Sequence, residues 1–162
     1  DVSPGAVAVM QERGVRHAAC IDWESQLRKG AESFDTLLLL NRGFGLTGTP
    51  EGLRTFLQLA HRVVRPGGQI VGDWREPPCP EADAVAATER PSDVSTRDPT
   101  NPPYRQREMW VQYGSTVGRP FQLLDSTFDE LHRVAEAEGW HAELLWREDD
   151  AYATCLTALA GW

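Results

Sequence analysis

Sulfur is scarce in this 162-residue sequence, with three cysteines and two methionines. Cys20, Cys79 and Cys155 are odd in number, widely scattered, and include neither a Cys-x-x-Cys pair nor a histidine at ligand spacing. That pattern excludes a disulfide framework and gives no expectation of a metal site. Basic charge is also short. Sixteen Lys and Arg face twenty-four Asp and Glu, a net charge of −8 that repels phosphate backbones, so nucleic acid is not an expected partner. The longest apolar run, Leu37 to Leu40 with its neighbours, cannot span a bilayer, which removes a membrane partner. No signal peptide is visible, and a cytoplasmic location is expected. With 41% hydrophobic residues the chain can bury one core, and nothing supports a second domain.

What is present begins mid-motif. Asp1-Val2-Ser3-Pro4-Gly5-Ala6 reads as an acidic residue at a strand's end followed by a helix start. Ser3 can cap that helix, Pro4 suits its first position and Gly14 can close it. In a nucleotide-binding α/β sheet, a carboxylate at such a corner is placed to accept hydrogen bonds from ribose hydroxyls. The Gly-rich turn that would precede it is absent from the sequence.

Helix and strand then alternate. Residues 4–13 predict a helix with Ala6, Val7 and Met10 inward, and Val15 to Ile21 predict a short strand ending at Asp22-Trp23. Phe34 to Asn41 carries a continuous apolar run of the kind buried on both faces of a parallel sheet. Thr49 and Pro50 start a helix whose Leu53, Phe56, Leu57, Ala60, Val63 and Val64 fall at helical spacing, ended by Pro66-Gly67-Gly68. Gln69 to Trp74 is the next strand. Such repeats imply right-handed crossovers and a parallel sheet.

Residues 77–103 break the pattern, holding seven of the eleven prolines among polar residues, and are read as a loop excursion above the sheet's carboxyl edge. Gln106 to Thr116 alternates weakly, as in a small hairpin. Thr127 and Glu130 form a capping box for a helix with Phe128, Leu131, Val134 and Ala135 inward, closed by Gly139. Trp140 to Trp146 and Tyr152 to Leu159 predict two strands whose short acidic connection requires antiparallel pairing.

The segments DVSPGAVAVMQERGV, CIDW, FDTLLLLNRGFGL, LAHRVVRPGGQIVGDW and EAEGWHAELLWREDDAYATCLTAL, in that order, resemble a class I S-adenosylmethionine-dependent methyltransferase. The resemblance covers the chain except for the proline-rich excursion. It implies an α/β, Rossmann-like sheet, mostly parallel with an antiparallel C-terminal hairpin, forming one partial methyltransferase domain over residues 1–162. It also implies an N-terminally incomplete domain, since the family's Gly-rich loop and first two strands have no counterpart here. This exact chain is therefore expected to bind cofactor negligibly and to be inactive by itself. The implied cofactor is S-adenosylmethionine and the implied partner a small-molecule methyl acceptor with an O, N or C nucleophile. Carried over residue by residue, Asp1 accepts from the ribose hydroxyls and Val2 lies against the adenine. Asp22 accepts from the adenine amine, and the Trp23 backbone N–H meets a ring nitrogen while its indole covers the base edge. Asn41 orients cofactor or substrate, and Gly43 lets the backbone come close.

Each of these residues also has a plainer role. Asp1 can be an exposed acid, Asp22 the N-cap of the next helix, Trp23 a core aromatic, and Asn41-Arg42-Gly43 an ordinary turn. Asp73 and Arg75 read as a solvated acid–base pair, and Tyr104, Trp110 and Tyr113 as packing aromatics more than pocket walls. Asn101-Pro102-Pro103-Tyr104 spells the tetrapeptide of adenine-directed DNA methyltransferases, but no strand delivers it to the sheet edge and the net charge opposes DNA, so it is read as coincidence. His61 and His132 suggest solvated helix faces, and no catalytic residue is assigned. Two other readings remain, a nicotinamide-dependent oxidoreductase, which would need a more parallel C-terminal sheet, and a noncatalytic interaction scaffold of the same fold.

Overall fold

The computed structural model describes residues 1–30, 33–77 and 104–161. Most of residues 77–103, read from sequence as a loop excursion, including the first three residues of the Asn-Pro-Pro-Tyr string, lie outside the described residues. In chain order the elements are α1 (Pro4–Glu12), α2 (Trp23–Lys29), β1 (Phe34–Leu39), a 3-10 helix (Gly43–Thr47), α3 (Pro50–Ala60) and β2 (Val64–Arg75). There follow β3 (Tyr104–Met109), β4 (Gln112–Tyr113), β5 (Thr116–Val117), β6 (Phe121–Ser126), α4 (Phe128–Ala137), β7 (Trp140–Glu148) and β8 (Ala151–Ala158).

Local chemistry sets the helix ends. The Ser3 hydroxyl accepts from Ala6 N at 3.2 Å and Pro4 takes the first turn. At the other end of α1, Gly14 N donates to Gln11 O and Val15 N to Met10 O, the paired closure that a left-handed glycine permits. Thr49 caps α3 through Gly52 N at 2.9 Å. Thr127 caps α4 through Glu130 N at 3.3 Å, while the Glu130 carboxylate pairs with Arg133 in the same helix. Of the inward residues predicted for the helix after Thr49, Leu53, Phe56, Leu57 and Ala60 are buried in α3, but the helix ends at Ala60. Val64 with Pro66-Gly67-Gly68, read as its end, belongs to β2, where Val64 is buried as a strand residue. The three aliphatic residues predicted for α4 are buried, with Phe128 packed beside them.

The main sheet runs β1-β2-β8-β7, with β1 and β2 parallel and β8 antiparallel to both its neighbours. Three of these four strands therefore point the same way, and the antiparallel C-terminal hairpin is as the sequence reading had it. One face of the sheet is covered. Ile70 and Trp74 of β2, with Tyr152 and Leu156 of β8, meet Leu53, Leu57 and Leu131 from the helices. Trp140 anchors α3 by donating from Nε1 to Leu57 O at 3.1 Å. Gly72 of β2 admits the Phe44 ring, since a Cβ there would stand 2.5 Å from Phe44 Cε2, and Phe44 stacks on Trp74 at 5.2 Å.

Three expectations are corrected. Val15 to Ile21 is not a strand, because no neighbouring strand among the described residues offers it a hydrogen-bonding ladder. Its last residues instead make isolated bonds to Asp1, whose N donates to Ala19 O at 3.0 Å and whose O accepts from Ile21 N at 2.9 Å. These two bonds flank Cys20 in the pattern of a single parallel bridge. Second, among the described residues β1 lies at the end of the sheet and only one of its faces packs on the core: Leu37 and Leu39 pack there, whereas Leu38 is 66% and Leu40 63% exposed. The third concerns residues 104–126. The weak alternation resolves into a two-stranded antiparallel sheet of β3 with β6, Tyr104 opposite Ser126, plus the small β4–β5 hairpin. Strand β6 had no counterpart in the sequence reading.

Candidate functional site

An open cleft of about 1110 Å³ lies between the start of the chain and β1. Asp1, Val2, Asp22 and Trp23, which are far apart in sequence, all line it. Two helix starts bring them there, because Asp1 and Val2 precede α1 while Asp22 and Trp23 open α2. Both carboxylates are oriented by local backbone: Asp1 Oδ1 accepts from Ser3 N at 2.8 Å, and Asp22 Oδ1 from Ser25 N at 2.8 Å. The Ser25 N–H bond, first among the causes, holds the Asp22 carboxyl below the usual carboxylate range, so it stays ionised as an acceptor. A carboxylate has acceptor capacity beyond one such bond. Val2 is 69% exposed in this cleft, an apolar surface with nothing on it. Trp23 serves two surfaces: its ring meets Phe56 edge-on at 5.6 Å and packs on the core, and it also lines the cleft. Arg16, His17, Gln26, Phe34 and Leu46, with small or aliphatic residues of the 18–21 stretch, also line it and were not assigned to a site from sequence, since each has an unremarkable local pattern.

Asn41 and Gly43 do not line this cleft. They belong to a turn at the carboxyl end of β1 in which Asn41 and Arg42 both adopt left-handed backbone, with φ of 59° and 61°. Asp73 at the neighbouring end of β2 holds that turn, its two oxygens accepting from Asn41 N at 2.6 Å and Arg42 N at 2.8 Å. The reading of Asp73 with Arg75 as a solvated pair is thus corrected, and Arg75 pairs with Asp150 at 2.9 Å instead. Alternate β2 side chains point to opposite faces, yet the clamp needs only the strand's end, which periodicity does not report. Gly43 is fixed by packing, because a Cβ would stand 2.8 Å from Leu39 Cβ.

Of the aromatics, Tyr104 packs on the core and Trp110 is exposed. His61 is not on a solvated face: it stacks on Trp140 at 4.3 Å and its Nε2 bonds Glu138 O at 2.8 Å. Among the described residues no group of three or more His, Cys, Asp or Glu could hold a metal, and no helix is long and apolar enough to cross a membrane.

No protein-family model matches the chain, and no curated protein matches it significantly. Solved structures do. A SAM-dependent methyltransferase from Bacteroides fragilis in complex with S-adenosyl-L-homocysteine is 25% identical with a TM-score of 0.71, over 98% of this chain and 61% of that one. The CcbJ methyltransferase from Streptomyces caelestis is 16% identical with a TM-score of 0.63, over 98% and 72%. A glycopeptide N-methyltransferase, MtfA, complexed with S-adenosyl-L-methionine, is 12% identical with a TM-score of 0.54, over 98% and 70%. The chain thus spans about three-fifths of the length of the Bacteroides protein.

Proposed function

We propose that this chain, which has the fold of the class I S-adenosylmethionine-dependent methyltransferases, is part of a protein that binds S-adenosylmethionine and transfers its methyl group to a small-molecule O, N or C nucleophile. The observation that carries this reading is the convergence of Asp1, Val2, Asp22 and Trp23 on one cleft. Their chemistry fits the nucleoside half of that cofactor. Two carboxylates, each already held by a backbone N–H, suit a ribose diol and an exocyclic amine, while exposed Val2 and the Trp23 indole offer apolar cover to a flat base. When bound, the cofactor supplies an activated methyl group on a sulfonium centre. The chain's own part is placement: Asp1 and Asp22 orient the nucleoside, and the Asp73-clamped turn at Asn41 to Gly43 faces the carboxyl edge, where Asn41 can hydrogen-bond cofactor or acceptor. The antiparallel β7–β8 end disfavours the nicotinamide-dependent alternative.

Isothermal titration with S-adenosylmethionine tests the proposal, using the chain as given and again with whatever residues its gene encodes upstream of Asp1. Negligible binding is expected in the first case and micromolar binding in the second. In the tighter form, Asp22→Ala should weaken binding by about 1 to 3 kcal/mol, the worth of an acceptor to a buried amine. Absence of binding in both forms overturns the function, and unchanged affinity in the variant removes Asp22 from the site.

A further inference from the structure

Asp125 of β6 is an ionisable group with only 2% side-chain exposure, joined to Arg107 of β3 by an Nη2–Oδ2 contact of 2.7 Å. The register sets Arg105 opposite Asp125 and Arg107 opposite Leu123, so this pair is diagonal across the hairpin. A guanidinium and a carboxylate gain most from two parallel bonds. Here the fork is incomplete: Arg107 Nε and Asp125 Oδ1 are both buried without a hydrogen-bond partner. The backbone on either side of Asp125 is fixed, because Leu124 O accepts from Trp74 Nε1 at 2.8 Å and Ser126 O from the Tyr152 hydroxyl at 3.1 Å. Trp74 is at the carboxyl end of β2, and β6 also packs on the 3-10 helix that follows β1, where a Cβ on Gly45 would stand 2.8 Å from Leu124 O. The pair therefore stands at the sheet edge where α/β folds place their ligands.

An unpaired donor and an unpaired acceptor on two groups already in contact call for a partner that presents both. A carboxylate has no donor and an ammonium no acceptor, whereas a carboxamide presents a carbonyl oxygen for Nε–H and an N–H for Oδ1 in one rigid edge. We propose that Asp125 and Arg107 anchor an amide edge of the methyl acceptor, which makes the acceptor a peptide-like or amino-acid-amide compound. This assignment rests on the methyl-transfer reading of the chain. Arg107 is 21% exposed and Asp125 2%, so the ligand approaches the pair from the guanidinium side.

Ligand-observed saturation-transfer NMR on the full chain without cofactor, comparing acetamide, acetate and methylammonium, tests the anchor. Acetamide should bind about tenfold or more tightly than either single-function probe, a ratio equal to one unpaired hydrogen bond. Asp125→Ala and Arg107→Met should each abolish the difference, with circular dichroism showing that the fold is kept. If Asp125→Ala does not fold, Arg107→Met carries the test alone, since that side chain is the more exposed. Equal binding of the three probes, or acetamide binding unchanged in a folded variant, overturns the anchor and leaves the two atoms to an ordered water. Titration of S-adenosyl-L-homocysteine into the form that carries the residues encoded upstream of Asp1, with the three probes repeated on it, separates the two readings: failure of that titration counts against methyl transfer, while loss of acetamide preference with cofactor binding intact counts against the anchor only.

Discussion

Single side chains decide more of this protein's chemistry than their local sequence suggests. Asp73 satisfies two backbone N–H groups of consecutive left-handed residues, a conformation that costs free energy at each non-glycine position. Asp73→Ala should lower stability by about 1 to 3 kcal/mol in urea denaturation. Arg42→Gly, by contrast, should be neutral or stabilising by up to about 1 kcal/mol, because glycine accepts the same φ without strain. A stability loss in Arg42→Gly equal to that of Asp73→Ala would show that the Arg42 side chain, and not its backbone, holds the turn. Asp125 gives a pH dependence. Burial, opposed by Arg107 and then by Arg42 and Arg105, lifts its carboxyl above the usual 3.8. The folded protein therefore holds that proton more tightly than the unfolded chain, and the contribution is present below 3.8 and lost as pH rises through the folded value. Wild type measured against Asp125→Asn should lose relative stability as pH rises from 3.8, read as denaturant midpoints, and a pH-independent difference would remove Asp125 as the cause. Asp22, whose carboxyl is lowered by Ser25 N–H, acts with the opposite sign and below 3.8. Its capping role was legible in sequence because the partner is three residues away; the Asp73 clamp and the Asp125 pair were not, because their partners come from other strands.

At the scale of elements, helix starts obeyed the sequence and strands depended on company: the helix after Thr49 ends at Ala60, because Val64 onward pairs with β1 as strand β2. Ser3, Thr49 and Thr127 cap the helices the sequence assigned to them, since capping acts within one turn. Residues 15–21 show the opposite case, where a strand-like stretch without a neighbouring strand keeps only isolated bonds. The run Leu37 to Leu40 reads as doubly buried from hydrophobicity, yet among the described residues only the face carrying Leu37 and Leu39 packs on the core, and Leu38 and Leu40 on the other are exposed. Leu38→Ser should therefore change stability by less than about 0.5 kcal/mol, while Leu37→Ser, opposite buried Ile70, should cost about 2 kcal/mol or more. Equal costs in thermal or urea unfolding would mean that the second face of β1 is covered in solution. Strand β6 was missed for a related reason. Phe121 to Ser126 mixes apolar and polar residues without clean alternation, and its inward Asp125 is tolerated only because Arg107 faces it.

Across the whole molecule, net charge and local charge diverge. The chain carries −8, yet the charges that act on buried Asp125 are those of Arg107, Arg42 and Arg105, a local basic group that composition averages away. Sequence by itself determined the alternating α/β plan, the inward faces of α3 and α4, the helix caps and the antiparallel C-terminal hairpin. These rest on periodicity and hydrogen bonds that span a few residues, so the chain carries them before it folds. Only the tertiary structure decided that Asp1, Val2, Asp22 and Trp23 share one cleft while Asn41 and Gly43 lie apart from it, that Asp73 grips a turn 32 residues away, and that one face of β1 stays open. Such facts depend on which strands become neighbours, a choice made by burial of the common core and the satisfaction of backbone groups across long loops, and no window of local sequence contains it.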